Sequence, residues 1–130
     1  MEVLEILKAL SDENRLRILN LLRWGKLCVG EIQSILGITQ SNASRHLNKL
    51  KGVGIIKFEK DAQWVHYKLD EDFISKYPFL GEMIYNQLQQ MGEYRGDVEK
   101  LAAYKVSGCN CQDLREADFD LEKLDMDSER

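Results

Sequence analysis

The stretch TQSNASRHLNKL, residues 39–50, decides the fold of this chain. We predict a helix that begins after Thr39, because its hydroxyl can accept a hydrogen bond from a free N–H of the first turn. Ala43, Leu47 and Leu50 recur at the i, i+4, i+7 spacing of one buried helix face. The remaining side chains are hydrogen-bonding groups whose length suits base edges and phosphates, and none of them is acidic. The stretch therefore predicts a helix with one buried face and one face suited to DNA.

The flanking segments extend this helix to a winged helix-turn-helix. Residues 30–38 read as a short helix that Gly37 closes, and two short helices joined by a Gly-containing turn form a helix-turn-helix. Downstream, residues 55–59 and 64–69 are rich in β-branched and aromatic side chains and predict two strands, with a polar turn over residues 60–63. The predicted fold is mainly α with one β-hairpin.

The predicted DNA contacts come from the exposed side of the second helix and from the tip of the hairpin. They are Gln40, Ser41, Asn42, Ser44, Arg45, His46, Lys49, Lys60 and Gln63, with Lys57 as a further hairpin contact. We assign His46 to DNA rather than to a metal because it follows Arg45 on the DNA-facing helix. His66 alternates with Val65 and Tyr67 and reads as a strand residue.

The charge of the chain is divided unevenly. The 130 residues carry a net charge of −4, but residues 1–68 hold 11 Lys and Arg against 7 Asp and Glu, whereas residues 69–130 hold 7 against 15. The predicted DNA surface lies in the basic half, so the acidic total does not exclude a DNA-binding protein. No apolar run could span a membrane and no signal-peptide layout is present, so we expect a cytoplasmic protein without a membrane partner. No nucleophile–base pair or phosphate-binding loop suggests an enzyme.

The helices outside this motif suggest a homodimer. Residues 2–10 predict an amphipathic helix with Val3, Leu7 and Leu10 along one side. Pro78 suits the first turn of a long helix that continues to about residue 93 with apolar residues at helical spacing. This helix can pack on its own domain or on a second copy. We favour a dimer interface shared with the first helix, because pairing gives a helix-turn-helix protein a palindromic site.

The predicted domain boundary lies after residue 93. Residues 1–93 form the winged-helix DNA-binding and dimerisation domain. Residues 94–130 form a C-terminal extension with a further short helix at 97–105, a Cys-x-Cys and an acidic tail.

Four segments in this order carry a family resemblance: LSDENRLRIL at 10–19, KLCVGEI at 26–32, QSNASRHL at 40–47 and WVHYKL at 64–69. With them, residues 2–93 resemble the ArsR/SmtB family of metal- and metalloid-responsive repressors. The resemblance implies a winged-helix homodimer that binds operator DNA when free of inducer and releases it when the inducer binds.

The family resemblance does not identify the inducer, so its identity has to be argued from the cysteines. Arsenic sensors of this family carry Cys-Val-Cys before the recognition helix, whereas this chain has Cys28 but Gly30 at the second position. Zinc sensors carry Asp and His ligands on the last long helix, and residues 79–93 contain no His. Cys109 and Cys111 supply a thiol pair at a Gly-flanked bend.

Cys28, Cys109 and Cys111 together would offer three thiolates, which suit As(III) or Sb(III). We therefore expect a repressor released by arsenite or antimonite, without an organic cofactor. Whether Cys28 joins the pair, and from which subunit, stays open. Alternatives are another soft metal ion (Cd, Pb or Zn), a thiol–disulfide switch, and a thiol carrier or reductase, which would leave the basic helix unexplained.

Overall fold

The computed structural model describes residues 1–108. In chain order its elements are α1 (Glu2–Leu10), α2 (Glu13–Leu22), β1 (Leu27–Cys28), α3 (Val29–Leu36), α4 (Gln40–Val53), β2 (Ile56–Asp61), β3 (Trp64–Leu69), α5 (Glu71–Ser75), α6 (Pro78–Glu82), a π-helical turn (Met83–Gln87), two 3-10 turns (Leu88–Gln90 and Gly92–Tyr94) and α7 (Arg95–Ser107). The helix-turn-helix is α3–α4 and the wing is β2–β3, so the predicted winged helix-turn-helix is confirmed.

Local capping fixes the ends of the two motif helices. The Thr39 hydroxyl accepts a hydrogen bond from the Asn42 N–H at 3.2 Å, as the sequence predicted. Gly37 ends α3 with φ +70 and Gly54 ends α4 with φ +110, a left-handed conformation that favours glycine. At Gly54 a Cβ would also lie 3.0 Å from the Phe73 ring, so a side chain here would strain the backbone and displace that ring.

The sheet has three strands in the order β1-β3-β2, all antiparallel. The first wing strand ends two residues later than predicted, because Asp61 pairs with Trp64 and leaves only Ala62 and Gln63 in the turn, whereas the second strand has its predicted bounds of 64–69. The sequence also missed β1, which pairs with β3 and places Cys28 opposite His66. Two residues are too short to show a strand pattern.

The core surrounds α2, whose Ile18, Leu19 and Leu21 are fully buried. The first helix buries only part of its predicted apolar side in this chain. Ile6 and Ala9 point into the core together with Leu10, whereas Val3 and Leu7 stay exposed. Of the predicted side only Leu10 is therefore buried in this chain, and the i, i+3, i+4 set that starts at Ile6 forms the packed face.

The segment after Pro78 is an interrupted helix. Leu80, Ile84 and Leu88 are buried in the core of the same chain, which corresponds to the first of the two packings considered for it. Its regular α-helical part ends at Glu82, and π-helical and 3-10 turns continue it to Gln90.

The last described helix, α7, contacts both α2 and α3. Its Leu101 and Tyr104 are buried. None of the helices in residues 1–108 combines the length and apolar character that a membrane crossing needs.

Candidate nucleic-acid interface and thiol region

The exposed face of α4 holds most of the side chains predicted to contact DNA. Gln40, Ser41, Asn42, Arg45 and Lys49 are exposed. Arg45 Nη2 donates to Asn42 Oδ1 at 3.4 Å, so these two side chains lie together one helical turn apart. The first two turns of α4 therefore present amides, hydroxyls and a guanidinium, groups that hydrogen-bond base edges and phosphates.

Two further members of the predicted set have less access to solvent. Ser44 is half-buried on the flank of this face. His46 is only 2% exposed, and its Nδ1 lies 3.2 Å from Arg15 Nη1 and 3.8 Å from Asp12 Oδ1. Burial holds the pKa of His46 below its ordinary value, although the nearby Asp12 carboxylate acts in the opposite direction.

The expected contact between His46 and DNA does not fit this geometry, because the ring faces the junction of α1 and α2. Arg15 also donates to the Ala9 and Lys8 carbonyls at 2.7 and 3.3 Å, so the Arg15–His46 contact joins the end of α1 to α4. The sequence did contain a signal for this burial: His46 follows Ala43 by three residues and immediately precedes Leu47, at the border of the buried stripe.

The wing presents Lys57, Lys60 and Gln63 to solvent. Its Glu59 would oppose a phosphate backbone, but it lies 2.7 Å from Lys26 Nζ and 2.8 Å from Lys68 Nζ. Hydrogen bonds from Lys26 and then Lys68 lower the pKa of Glu59 to about 2. These two lysines therefore offset the charge of Glu59.

Cys28 immediately precedes α3 and is buried. Its backbone N–H donates to Glu31 Oε1 at 2.9 Å, and the Tyr104 hydroxyl donates to Glu31 Oε2. Glu31 and Tyr104 are both buried, so α7 reaches the first turn of α3 through a buried hydrogen-bonded pair.

Gly30 lies beside Cys28 at the same end of α3. A Cβ on Gly30 would lie 3.9 Å from Cys28 Sγ, which is an ordinary van der Waals contact. A side chain at this position would therefore lie next to the Cys28 sulfur. Cys109 and Cys111 lie outside the described residues, and within residues 1–108 no group of three or more His, Cys, Asp or Glu could hold a metal ion.

A second polar contact joins α7 to the other end of α3. Asp97 accepts from Arg17 Nε at 2.8 Å and from Arg17 Nη2 at 2.9 Å, a bidentate pair of which Asp97 is the buried member. Arg17 Nη2 also donates to the Leu36 carbonyl at 3.2 Å. The hydrogen bonds to Asp97 raise the pKa of Arg17 above its ordinary value. Sequence reasoning missed these contacts, because 80 residues separate Arg17 from Asp97.

Comparison with known proteins identifies the family. A family model described as bacterial regulatory protein, arsR family, matches residues 12–57. The chain is 38% identical over 77 residues to a cadmium resistance transcriptional regulatory protein CadC homolog of Staphylococcus aureus, a match over 58% of this chain and 64% of that protein. It is 34% identical over 94 residues to the arsenic resistance transcriptional regulator ArsR2 of Pseudomonas putida, a match over 72% of this chain and 79% of that protein.

Solved structures also share the fold, and two of them serve as examples. The reduced form of HlyU from Vibrio cholerae, a relative named as a transcriptional activator, superposes with a TM-score of 0.55 at 35% identity, over 65% of this chain and 90% of that one. A homodimeric winged helix-turn-helix domain from Mycobacterium bovis gives a TM-score of 0.56 at 26% identity, over 70% of this chain and 85% of that one.

These relatives are transcriptional regulators rather than enzymes, in agreement with the sequence expectation. From the family match, the relatives and the winged helix-turn-helix, the chain belongs to the arsR family of bacterial DNA-binding transcriptional regulators.

Proposed function

We propose that the protein is a repressor that binds operator DNA through α4 and the wing, and that arsenite or antimonite releases it. The observation that carries this proposal is the acid-free exposed face of α4, which follows directly on the helix that Cys28 heads. DNA contact and thiol chemistry are thus assigned to neighbouring helices. Since such a regulator acts on DNA inside the bacterium, we place it in the cytoplasm.

The proposed DNA contacts are the exposed and half-exposed members of the predicted set. They are Gln40, Ser41, Asn42, Ser44, Arg45 and Lys49 of α4, with Lys57, Lys60 and Gln63 of the wing. A recognition helix of this kind enters the major groove with its N-terminal residues against base edges, while a basic hairpin contacts the backbone. His46 is left out because it is buried.

The proposed active form is a homodimer on a palindromic operator. Three apolar side chains of α1 face solvent, with Val3 37%, Leu4 51% and Leu7 47% exposed. Phe79 and Tyr85, from the segment after Pro78, are also exposed. Apolar surface of this kind suits an isologous contact with a second copy. The related Mycobacterium bovis domain is homodimeric.

The proposed inducer site consists of Cys28, Cys109 and Cys111. In the described residues, α7 runs to Ser107 with Tyr104 bound to the first turn of α3, so the chain leaves α7 on the side of α3 where Cys28 lies. This direction favours cysteines of one subunit joining Cys28 of the same subunit. Three thiolates suit a trivalent arsenic or antimony ion. We keep residues 94–130 as the extension that carries the thiol pair, with 1–93 as the DNA-binding and dimerisation domain.

The test uses the reduced full-length protein on a duplex selected from random DNA. Fluorescence anisotropy with arsenite, antimonite, Cd²⁺, Pb²⁺ and Zn²⁺ should show release by the two metalloids at the lowest concentrations. Three single variants are compared: Cys28→Ser, Cys109→Ser and Cys111→Ser. Each should still bind the duplex, but arsenite and antimonite should no longer release it, and the thiolate absorption of the bound metalloid should be lost. The mass of the complex should correspond to two copies per duplex. Release by zinc but not by arsenite would contradict the metalloid assignment.

A thiol–disulfide switch is the second candidate, favoured by the relative HlyU, whose solved form is described as reduced. Here peroxide would take two electrons from Cys28 and one of the tail cysteines, forming one disulfide and two molecules of water. Mass spectrometry after mild peroxide treatment tests this candidate. A protein that releases DNA under peroxide without any disulfide at Cys28 would exclude it.

A further inference from the structure

We propose that α7 is the positioning helix for α3, and that Tyr104 and Asp97 transmit the inducer signal by holding the two ends of α3. The inference rests on the proposed function for the identity of the inducer. The contacts themselves all lie within the described residues. Neither residue contacts DNA or supplies a thiol, so both act through α3.

The first contact fixes the start of α3. The Tyr104 hydroxyl donates to one oxygen of the Glu31 carboxylate, and the other oxygen accepts from the Cys28 N–H at 2.9 Å. Glu31 is 7% exposed and Tyr104 is 1% exposed, so little water is available to replace either bond. A displacement of Tyr104 therefore changes the turn in which Cys28 lies.

The second contact fixes the end of α3. Asp97 binds the Arg17 guanidinium with two hydrogen bonds of 2.8 and 2.9 Å, and the same guanidinium donates to the Leu36 carbonyl at 3.2 Å. Leu36 is the last residue of α3, and Gly37 begins the turn into α4. The position of Asp97 therefore influences the turn that orients the recognition helix.

The spacing of Asp97 and Tyr104 along α7 matches the length of α3. Asp97, Leu101 and Tyr104 stand at i, i+4 and i+7, on one face of α7, and all three are buried. Asp97 and Tyr104 are separated by about 10 Å along the helix axis, close to the roughly 12 Å length of an eight-residue helix such as α3. Tyr104 binds the start of α3 directly, whereas Asp97 reaches its end through Arg17 of α2. A rigid shift of α7 would therefore disturb both ends of α3 together.

This arrangement explains how a thiol site after α7 could act on DNA affinity. Gly108 ends α7 one residue before Cys109 in the sequence, so an ion bound there would pull directly on this helix. Inducer and DNA would then favour different positions of α3, and each would weaken the binding of the other by the same factor.

The test compares Tyr104→Phe and Asp97→Asn with two matched controls in the full-length protein. Tyr77→Phe removes a tyrosine hydroxyl whose pKa is raised by the Glu2 carboxylate, a pair outside both α3 and α7. Glu82→Gln neutralises an exposed carboxylate that binds Asn86 and Gln87. Circular dichroism should verify the fold of each variant. Tyr104→Phe keeps the aromatic ring and Asp97→Asn keeps one side-chain oxygen, so both α7 variants are conservative.

Two readouts are expected to change in the α7 variants and not in the controls. Without inducer, amide hydrogen exchange should accelerate in residues 29–32 for Tyr104→Phe and in residues 36–38 for Asp97→Asn. With arsenite, the ratio of operator affinities without and with inducer should fall by at least about fivefold, since couplings of about 5- to 150-fold are typical. Arsenite binding, followed by thiolate absorption, should be unchanged.

The outcomes separate this inference from the proposed function. A wild-type protein that keeps its operator under arsenite and antimonite would end the metalloid assignment, and hydrogen exchange would still decide whether α7 positions α3. The inference would be overturned if amide hydrogen exchange in residues 29–32 and 36–38 kept the wild-type rate in both α7 variants. Faster exchange with unchanged coupling in an arsenite-responsive protein would also overturn it, because α7 would then only stabilise α3.

Discussion

The two helices of the helix-turn-helix are positioned in different ways. The recognition helix α4 has 14 residues and is bounded by groups next to it in sequence, the Thr39 hydroxyl and the left-handed Gly54. The preceding helix α3 has eight residues, and side chains from distant parts of the chain bind both of its ends. The ends of the recognition helix are thus set by neighbours in sequence, whereas α3, although Gly37 ends it locally, is also held by tertiary contacts.

This difference assigns DNA contact to α4 and the control of DNA affinity to α3. The exposed face of α4 needs only a correct helix to present its hydrogen-bonding groups. The helix α3 contributes none of the proposed DNA contacts, but the turn at its end sets where α4 begins. A regulator can therefore change its DNA affinity by moving α3 without altering any group that touches DNA.

The largest effect on DNA binding is expected from Arg45→Ala. Arg45 is exposed on α4 beside Asn42, and losing a base or phosphate contact of this kind costs about 1–3 kcal/mol, or about 5- to 150-fold in affinity. Anisotropy titrations with the selected duplex at several salt concentrations measure the loss. Stability should be unchanged within about 0.5 kcal/mol because the side chain is exposed.

Arg95→Ala serves as the matched control for this measurement. Arg95 is an exposed arginine at the start of α7, on an element that contributes none of the proposed DNA contacts. Its removal should leave operator affinity within about twofold of the wild type. Equal losses in the two variants would indicate a general charge effect and would contradict a specific role for α4.

A smaller effect is expected at the head of α3 from Gly30→Cys. The new Cβ would lie 3.9 Å from Cys28 Sγ, so a second thiol would stand beside the first. Two thiols on one short turn act at high effective concentration, and arsenite binding should tighten by roughly tenfold or more. The effect is measured most clearly in a protein that already carries Cys109→Ser and Cys111→Ser. In that protein Gly30→Cys should restore part of the arsenite response, measured by thiolate absorption and by DNA release.

Gly30→Ala is the control for that substitution. It adds the Cβ without a thiol, and because Gly30 is a helical residue without a positive φ, it should stabilise the protein by about 0.5–1 kcal/mol. It should not change arsenite binding. If Gly30→Cys behaved like Gly30→Ala, the head of α3 would not be a place where soft ions bind.

Most of the fold could be predicted from the sequence because its signals are local. The stripe of Ala43, Leu47 and Leu50, the closing Gly37 and the aromatic-rich strands each depend on residues within a few positions of one another. The exposed face of α4 could be predicted for the same reason. The winged helix-turn-helix and most of its proposed DNA surface follow from such patterns.

The contacts that hold α3 could not be predicted in this way. Tyr104 and Glu31 are 73 residues apart, and neither has a neighbour pattern that points to the other. The sequence did not show that Ile6 and Ala9 form the packed face of α1, because Val3 and Leu7 offer an equally regular apolar side that stays exposed. Local periodicity shows that a helix has an apolar side, but when several apolar sides exist, tertiary packing decides which one is buried.

The smallest effect is expected from His46, and it tests how firmly α4 is joined to α1. Burial lowers the pKa of His46 in the folded protein, whereas an unfolded histidine titrates near about 6.5. As the pH falls from about 7.5 to about 5, the unfolded chain therefore binds the proton first, and the free energy of unfolding decreases until the pH reaches the lowered pKa of the folded state.

The variant His46→Asn keeps a hydrogen-bond acceptor for Arg15 but cannot be protonated. This part of the dependence of the unfolding free energy on pH should therefore disappear, as measured by urea denaturation followed by circular dichroism. His66→Asn leaves His46 in place and should retain the part of the slope that His46 contributes. Identical slopes in wild type and His46→Asn would mean that the ring titrates alike in both states, and the Arg15–His46 contact would then not depend on a neutral imidazole.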